Sequence, residues 1–337
     1  MKKRLLYIGN QLSSKKDTVT TIETLSGLLR NEGYQIIVAS SIQNKALRML
    51  DMLRKTFKNR NKLDVVLIDT YSTQNFYYAV GVAKLCRVFK IPYIPILHGG
   101  NLPNRLKNCP RLSQQLIKGA KTNVSPSNYL IEAFKKGGYS NLTYIPNSIE
   151  IDNYPYLQRE EIKAKLLWVR SFSEIYNPLL AIEIVEKLLD NNIAVELCMI
   201  GPEKDRSLKK CKEIVAQRNL PITFTGLLPK KEWITQSKGF DIFINTTNFD
   251  NTPVSVIEAM ALGIPVISTD VGGIPFLIEH QKTGVLVPPM NAQLFVNEII
   301  ELLNHPEKAK GMAGNARKEV EKFDWLVVRD LWKKLLK

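Results

Sequence analysis

The stretch Asn248-Phe249-Asp250-Asn251-Thr252-Pro253-Val254-Ser255-Val256-Ile257-Glu258-Ala259-Met260 indicates a helix start between two acidic side chains. Thr252 is a suitable N-cap, and Pro253 suits the first helical position. The backbone N–H groups of the first turn would have no carbonyl partner within the helix, and the helix dipole favours an anion there. With Asp250 and Glu258 nearby, this helix start could bind a phosphate while the two carboxylates accept hydrogen bonds from neighbouring sugar hydroxyls. The alternative is an ordinary capped helix in an α/β protein.

The residues that follow extend this pattern. Gly263-Ile264-Pro265-Val266-Ile267-Ser268-Thr269 indicates a turn and a buried strand, and Gly272-Gly273-Ile274-Pro275 is expected to open the next helix. The whole run resembles the donor-site signature of retaining glycosyltransferases of family 4, which have the two-lobed GT-B fold. Their signature is an acid, seven residues, a Glu in Glu-Ala-Met-Ala, then Gly-x-Pro-Val and a Gly-Gly turn. Here Glu258-Ala259-Met260-Ala261 matches in full, Asp250 replaces the usual first Glu, and Phe276 replaces a frequent Glu.

The resemblance implies an α/β protein of the GT-B type, with two Rossmann-like parallel-sheet domains facing a central cleft. It implies that Glu258 holds the ribose hydroxyls of a nucleoside-diphosphate sugar and Asp250 its sugar hydroxyls. The catalytic residues that it implies are His98, Asp250 and Arg170. The donor-binding residues that it implies are Glu258, Thr252, Pro253, Val254, Ser255, Gly201, Leu228 and Gly9.

Arg170 matches the family's Arg in Gly-Arg-x-x-x-x-Lys-Gly, which together with the Lys neutralises the diphosphate leaving group. A cation at this position stabilises negative charge as the glycosidic bond breaks. The companion Lys is absent, since residues 171–178 read Ser-Phe-Ser-Glu-Ile-Tyr-Asn-Pro. Either Arg170 and the helix start suffice, with help from Tyr176 or Asn177, or the activity is weak.

His98 follows the predicted strand Tyr93–Leu97, so we expect it at the carboxyl edge of a parallel sheet, where such folds bind ligands. Gly99 and Gly100 would allow a close approach of the backbone to a substrate. In the resembling family a His at this place faces the donor sugar. We therefore expect His98 to position donor and acceptor rather than to act as a base; the alternative is a structural or solvated histidine.

The first strand-to-helix loop, from Gly9 to Thr21, departs from the family, which commonly has a Gly-Gly pair there. This chain has Lys15-Lys16-Asp17 and the polar residues after it, and Gly9 remains. The dinucleotide-binding fingerprint is therefore missing.

Short β-branched runs alternate with amphipathic helical patterns along the chain, which favours two parallel-sheet α/β domains. We expect an acceptor-binding domain at 1–150 and a donor-binding domain at 151–319, with a linker at 146–156 rich in Asn, Asp and Pro. The last helix, about 320–337, is expected to pack back on the first domain. The predicted strands are Leu5–Gly9, Gln35–Ser40, Val65–Asp69, Tyr93–Leu97, Thr122–Val124, Leu142–Ile145, Leu166–Val169, Ala194–Ile200, Ile222–Thr225, Ile242–Asn245, Val266–Thr269 and Gly284–Val287.

The charge of the 337-residue chain is unevenly distributed. Residues 1–150 contain 23 Lys and Arg against 8 Asp and Glu, a net charge of +15, whereas residues 151–337 contain 24 of each. This asymmetry favours an anionic partner for the first half: a membrane surface, a polyanionic polymer or nucleic acid. The basic amphipathic segment 45–62 could lie on an anionic membrane, and the alternative is a core-packed helix with a solvated basic face.

Other signals limit the possible classes. The sequence has no long apolar run and no secretory signal, and its four cysteines lack metal or redox spacing, so we expect a cytoplasmic protein, peripheral on the inner face of the membrane. With no Asp-x-Asp pair and three histidines, we expect no metal site and no cofactor besides the nucleotide-sugar co-substrate.

We therefore predict a retaining, metal-independent glycosyltransferase of the hexosyltransferase type, which uses a glycan or lipid-linked acceptor in polysaccharide or glycolipid synthesis. No nucleic-acid motif is present, and no nucleic-acid partner is expected. Two alternatives stay open: a sugar-nucleotide epimerase or phosphorylase of the same fold, and a non-catalytic polyanion-binding protein. The sequence does not specify the sugar, the nucleobase, the acceptor or the oligomeric state.

Overall fold

A computed structural model describes residues 3–12 and 20–337. Strands and helices alternate through this part of the chain. The strands of the first half are β1 (Arg4–Ile8), β2 (Gln35–Ala39), β3 (Val65–Thr70), β4 (Tyr93–Leu97), β5 (Asn123–Ser125) and β6 (Leu142–Tyr144). The helices of the first half are α1 (Thr21–Asn31), α2 (Lys45–Asn59), α3 (Phe76–Val88), α4 (Leu102–Asn108), α5 (Pro110–Ile117) and α6 (Asn128–Lys136).

The second half repeats this alternation. Its strands are β7 (Ala164–Val169), β8 (Val195–Ile200), β9 (Ile222–Gly226), β10 (Ile242–Asn245), β11 (Val266–Thr269) and β12 (Val285–Val287). Its helices are α7 (Pro178–Asp190), α8 (Ser207–Arg218), α9 (Lys230–Ser237), α10 (Val254–Ala261), α11 (Ala292–Asn304), α12 (Pro306–Val320) and α13 (Trp325–Leu335).

The chain divides into two compact units. The first unit comprises Met1–Asn147 with Trp325–Lys337, and the second comprises Ser148–Asp324. Each contains a six-stranded sheet, in the order β2-β1-β3-β4-β5-β6 in the first and β12-β11-β10-β7-β8-β9 in the second. Every strand pair is parallel. The prediction of two Rossmann-like parallel-sheet units is confirmed.

The strands form because their side chains are apolar on both faces, as strands buried between two helical layers require. β3 and β4 are buried at every position. In each unit two separate hydrophobic clusters cover the two faces of the sheet. All twelve predicted strands are present, and their ends differ from the prediction by at most two residues.

The last helix, α13, packs on the first unit. Trp325, Val328 and Trp332 are buried in one cluster with residues of β1 and α1. Lys333 Nζ lies 2.6 Å from a carboxylate oxygen of Glu32, at the end of α1. The apolar stripe of α13 therefore completes the core on one face of the first sheet.

Candidate functional site

The order of the second sheet has a switch point between β7 and β10, because the connections from these neighbouring strands lead to opposite sides. In open parallel sheets, ligands bind in the crevice outside the carboxyl ends of the strands at such a point. Arg170 directly follows β7, and Asp250 lies in the loop that follows β10. Two residues implied by the family signature, 80 positions apart, thus meet at this edge.

Arg170 forms an ion pair with Asp250, and side-chain exposures are 12% and 17% respectively. The guanidinium carbon of Arg170 lies 4.3 Å from the ring centroid of Tyr176, a favourable cation–π distance. Burial lowers the pKa of Arg170, yet an arginine stays protonated in proteins. Its Nε has no hydrogen-bond partner among the described residues. Arg170 is therefore a largely buried cation at the edge of the second sheet.

Glycines allow close backbone contacts around this pair. A Cβ on Gly201 would collide with the carbonyl oxygen of Arg170, and φ at Gly201 is +152°. A Cβ on Gly272 would collide with the carbonyl oxygen of Asp250, and Gly273 donates its N–H to that carbonyl at 3.0 Å. The Gly-Gly turn of the signature therefore holds the Asp250 loop through backbone contacts that larger residues would prevent.

The helix after Asp250 begins one residue later than predicted. Its N-cap is Pro253, with φ −68° and ψ 114°, and it has no side-chain capping bond. The prediction of Thr252 as N-cap and Pro253 as first helical residue was wrong, because the backbone is still extended at Pro253. The Gly-Gly turn likewise leads only into the short 3-10 helix Ile274–Phe276 and not into an α-helix.

The later helix start keeps the predicted anion site. Val254 and Ser255 are the first two residues of α10, and the first intrahelical bond runs from Val256 N to Pro253 O at 3.1 Å. The N–H groups of Val254 and Ser255 therefore lack carbonyl partners within the helix. Ser255 Oγ is buried and has no hydrogen-bond partner in the described part of the chain. This helix start can bind an anion.

Glu258 lies in the second turn of α10 and is buried at 5% exposure. Its Oε1 accepts a hydrogen bond from Tyr154 at 2.7 Å and forms an ion pair with Lys230. Burial, followed by the charge of Glu258, raises the pKa of Tyr154, so this phenol stays a donor. The other carboxylate oxygen of Glu258, Oε2, makes no hydrogen bond within the described ranges. One carboxylate oxygen is therefore held in place, and the other can accept a ligand hydroxyl.

Tyr154 and Lys230 are contacts that the sequence interpretation missed. Tyr154 lies in the segment interpreted as a linker, and Lys230 begins α9, two residues after the half-buried Leu228. A lysine just after a loop at the sheet edge is a weak signal, because helices often begin with a charged residue. Only the tertiary structure brings Lys230 next to Glu258.

The segment where the family has its second cation has another role here. Glu174–Tyr176 forms a 3-10 turn. The carbonyl of Ile175 accepts from Asn248 N at 2.8 Å and from Thr247 Oγ1 at 3.1 Å. This segment therefore supports the loop after β10 through its backbone and places the Tyr176 ring against Arg170.

The first sheet has its switch point between β1 and β3. Gly9 follows β1, Asp69 lies near the end of β3, and His98 follows β4. His98 Nε2 lies 2.7 Å from Asp69 Oδ1, and Tyr7 OH donates to the same oxygen at 2.9 Å. A Cβ on Gly9 would collide with Asp69 Oδ2, so this glycine leaves room for the carboxylate. Sequence interpretation missed Asp69, although an aspartate in an otherwise apolar strand was a usable signal.

Three further observations concern the predicted sites. The loop prediction around Lys15 and Lys16 lies outside the described residues. Over residues 3–12 and 20–337, no group of three or more metal-ligating side chains could hold an ion. Within the same ranges, no helix is both long and apolar enough to span a bilayer.

The fold is that of GT-B glycosyltransferases. The crystal structure of Anabaena Alr3699/HepE in complex with UDP and glucose is similar with a TM-score of 0.78 at 17% identity, over 99% of both chains. Residues 155–319 match the family model described as glycosyl transferases group 1, so the chain carries a domain of this family. The resemblance seen in the sequence is thereby confirmed at the level of group 1 glycosyltransferases.

Two curated relatives define the extent of the similarity. An uncharacterized glycosyltransferase, MJ1178 of Methanocaldococcus jannaschii, is 24% identical over 330 residues, which are 95% of this chain and 90% of the relative. The poly(ribitol-phosphate) alpha-N-acetylglucosaminyltransferase of Staphylococcus aureus is 26% identical over 197 residues, 57% of this chain and 38% of the relative. The chain spans between 28% and 64% of the length of three other curated relatives that it matches.

Proposed function

We propose that this protein is a retaining glycosyltransferase that moves a sugar from a nucleoside-diphosphate sugar to a glycan or lipid-linked acceptor. The observation that carries the proposal is the group of three features at the carboxyl edge of the second sheet. These are the buried Arg170–Asp250 pair, the uncapped start of α10 and the half-satisfied carboxylate of Glu258. Together they offer a cation and free N–H groups for a diphosphate, and carboxylate oxygens for hydroxyl groups.

The donor would bind by charge and hydrogen-bond complementarity. The diphosphate accepts from the N–H groups of Val254 and Ser255 and from the guanidinium of Arg170. Glu258 Oε2 accepts from a ribose hydroxyl, while Tyr154 and Lys230 hold Oε1. Asp250 accepts from hydroxyls of the transferred sugar. Gly201 and Leu228 lie on the neighbouring loops that follow β8 and β9.

The chemical role of Arg170 follows from this arrangement. As the bond between the sugar and the diphosphate breaks, negative charge grows on the leaving oxygen. A fixed cation in a site sheltered from water stabilises that charge without reorganising. The aromatic ring of Tyr176 keeps the guanidinium in place. Retention of anomeric configuration is an inference from the family signature.

The comparisons support the donor class without naming the substrate. HepE was crystallised with UDP and glucose, and the staphylococcal relative is named for transfer of N-acetylglucosamine to a polyanionic polymer. A polyanionic or membrane-bound acceptor would agree with the net charge of +15 in residues 1–150. We therefore assign the acceptor to the first unit.

Helix α2 has an exposed surface in the first unit that fits this assignment. Leu47, Leu50 and Phe57 are 55%, 57% and 50% exposed, whereas Arg48, Met52 and Thr56 are buried. The alternative of a core-packed helix with a solvated basic face therefore does not describe these three large apolar side chains, which are exposed. Exposed apolar residues next to the exposed Arg54 and Lys58 are typical of helices that lie on anionic membranes. We propose that α2 contacts the inner face of a membrane.

A thermal-shift screen against UDP-, GDP-, ADP- and CMP-sugars tests the donor proposal, because a ligand that binds only the folded state raises the melting temperature. We expect one nucleotide class to stabilise the parent protein and to stabilise Glu258→Gln less at the same ligand concentration. Transfer to an acceptor, with the anomeric configuration of the product read by NMR, tests the reaction. Isomerisation or phosphate-dependent cleavage without an acceptor would favour the epimerase or phosphorylase, and no nucleotide-sugar binding at all would favour the polyanion-binding protein.

Liposome co-sedimentation tests the membrane proposal. Arg54→Glu with Lys58→Glu should weaken binding to anionic liposomes at least roughly tenfold, since each basic residue contributes about 1 kcal/mol near an anionic leaflet. Lys55 stays unchanged because it bonds to the carbonyl of Val38 at 3.2 Å and to Asp51. The matched control, Lys210→Glu with Lys212→Glu on α8, makes the same charge change in the second unit. Equal binding by both double variants and the parent would contradict the proposal.

A further inference from the structure

The buried carboxylate of Asp69 contacts a histidine. Asp69 is fully buried, and among the described residues its ion-pair partner is His98. Three tyrosines surround it: Tyr7, Tyr71 and Tyr78. Burial, and then the charge of Asp69, raise the pKa of each, so they stay neutral donors. A buried carboxylate is stabilised by hydrogen-bond donors, and His98 Nε2 and Tyr7 OH both contact Asp69 Oδ1.

The hydrogen bond between Asp69 and His98 restricts the histidine's tautomer. An ionised carboxylate only accepts hydrogen bonds, so the nitrogen that faces it must carry the proton. That nitrogen is Nε2, 2.7 Å from Asp69 Oδ1. In a neutral imidazole the other nitrogen, Nδ1, then has a lone pair and can only accept. Nδ1 makes no hydrogen bond within the described part of the chain.

The ring orientation is restricted as well. The Tyr71 ring stacks on the His98 ring with centroids 5.3 Å apart and an angle of 29° between planes. The His98 backbone donates to Thr70 O at 3.0 Å. A Cβ on Gly99 would lie 2.7 Å from Ser72 N, so glycine is required for the loop to stay this close to the residues after β3. The loop, the stacked ring and the carboxylate together define where Nδ1 points.

We propose that Asp69 is a positioning residue for sugar transfer: it holds His98 as the Nε2–H tautomer, so that Nδ1 accepts a hydrogen bond from a sugar hydroxyl of the substrate in the transition state. This inference rests on the proposed function, because the hydroxyl belongs to the sugar substrate proposed there. Both side-chain hydrogen bonds of the carboxylate go to Oδ1, whereas Oδ2 has no hydrogen-bond partner among the described residues. Gly9 contributes by leaving the space that Oδ2 occupies.

The tautomer can be measured without any substrate. The chain has three histidines, so side-chain ¹⁵N spectra at about pH 8, above the ordinary histidine pKa, can be assigned with His98→Gln. We expect His98 to show a protonated Nε2 and an unprotonated Nδ1. Tyr7→Phe, which removes the other hydrogen bond to the same Asp69 oxygen, should leave this pattern unchanged. Asp69→Ala should move both nitrogens toward the averaged positions of two exchanging tautomers.

The functional role has its own readout. Asp69→Ala should lower kcat about tenfold, the effect of one well-placed hydrogen bond, with KM for the nucleotide-sugar little changed. His98→Asn keeps an acceptor near the position of Nδ1, whereas His98→Gln keeps only the bond toward Asp69. His98→Asn should therefore retain clearly more kcat than His98→Gln.

Two results would overturn the proposal: a parent spectrum with the proton on Nδ1, or a His98→Gln variant as active as the parent. The parent spectrum decides the first point even if Asp69→Ala does not fold. A parent protein that transfers no sugar would instead remove the proposed function, and the spectrum would still decide whether Asp69 selects the tautomer.

Discussion

The carboxyl edges of the two sheets are built alike and charged differently. At the first, Asp69 and His98 form a buried pair among tyrosines. At the second, Arg170 and Lys230 face Asp250 and Glu258 beside an uncapped helix start. Both are switch points of doubly wound sheets, so the fold provides the place in each unit. The side chains differ, and we propose that the first edge binds hydroxyl groups and the second binds the diphosphate of the donor.

This difference is not visible in the net charge. The first unit is strongly basic, and yet its sheet edge has a carboxylate paired with histidine. The second half of the sequence has no net charge, and yet its sheet edge contains the buried arginine. Composition therefore reports on the surface, which can attract a membrane or polymer, whereas ligand chemistry depends on a few buried groups.

The largest effect is expected from Arg170→Ala. Loss of the buried cation should lower kcat roughly hundredfold or more, with a smaller change in KM, because charge on the leaving group is greatest in the transition state. Steady-state kinetics measure both. Arg218→Ala is the control, since Arg218 is a surface arginine of the same unit that pairs with Glu186. An unchanged kcat for Arg170→Ala would mean that the second edge does not handle the leaving group.

A smaller effect is expected from Glu258→Gln. The variant keeps the shape of the buried side chain and still offers an oxygen to Tyr154, but it removes the charge. Donor affinity should fall roughly tenfold, the value of a charge-assisted hydrogen bond to a hydroxyl. Isothermal calorimetry with the nucleotide that the thermal screen identifies measures this loss. Donor affinity equal to that of the parent would show that Glu258 is only a structural partner of Tyr154 and Lys230.

Lys230→Ala should have a moderate effect. Its side chain is 57% exposed, so its bond to Glu258 is weakened by solvent, and we expect a loss of donor affinity of only severalfold. Lys231→Ala is the matched control: the neighbouring residue is exposed and has the same charge. If both variants lose affinity equally, the cause is general charge and not the orientation of Glu258.

The smallest effect is expected from metal removal. Excess EDTA should leave transfer unchanged, because Arg170 and the start of α10 can neutralise the diphosphate. Activity measured with and without EDTA, and after addition of Mn²⁺, checks this. Loss of activity with EDTA and its return with Mn²⁺ would show that the second edge needs a cation that it does not itself supply.

Much of the fold could be predicted from the sequence. Strands such as β4 and β10 were predicted to the residue, because strands buried on both faces are continuous apolar runs. The start of α10 was predicted one residue early, since Thr252 and Pro253 satisfy the local rules for a cap and a first residue. The backbone at Pro253 stays extended, and the turn at Gly272 and Gly273 packs against the backbone of Asp250 and Asn251.

The sequence alone determined the two parallel-sheet units, the family signature around Asp250 and Glu258, and the position of Arg170 and His98 after strands, because periodicity and motif spacing are local properties. Tertiary structure decided which groups meet: Asp69 with His98, Tyr154 and Lys230 with Glu258, and Tyr176 with Arg170. These contacts join residues that are between 6 and 104 positions apart. Strand order and loop packing bring such residues together, and no local pattern specifies that pairing.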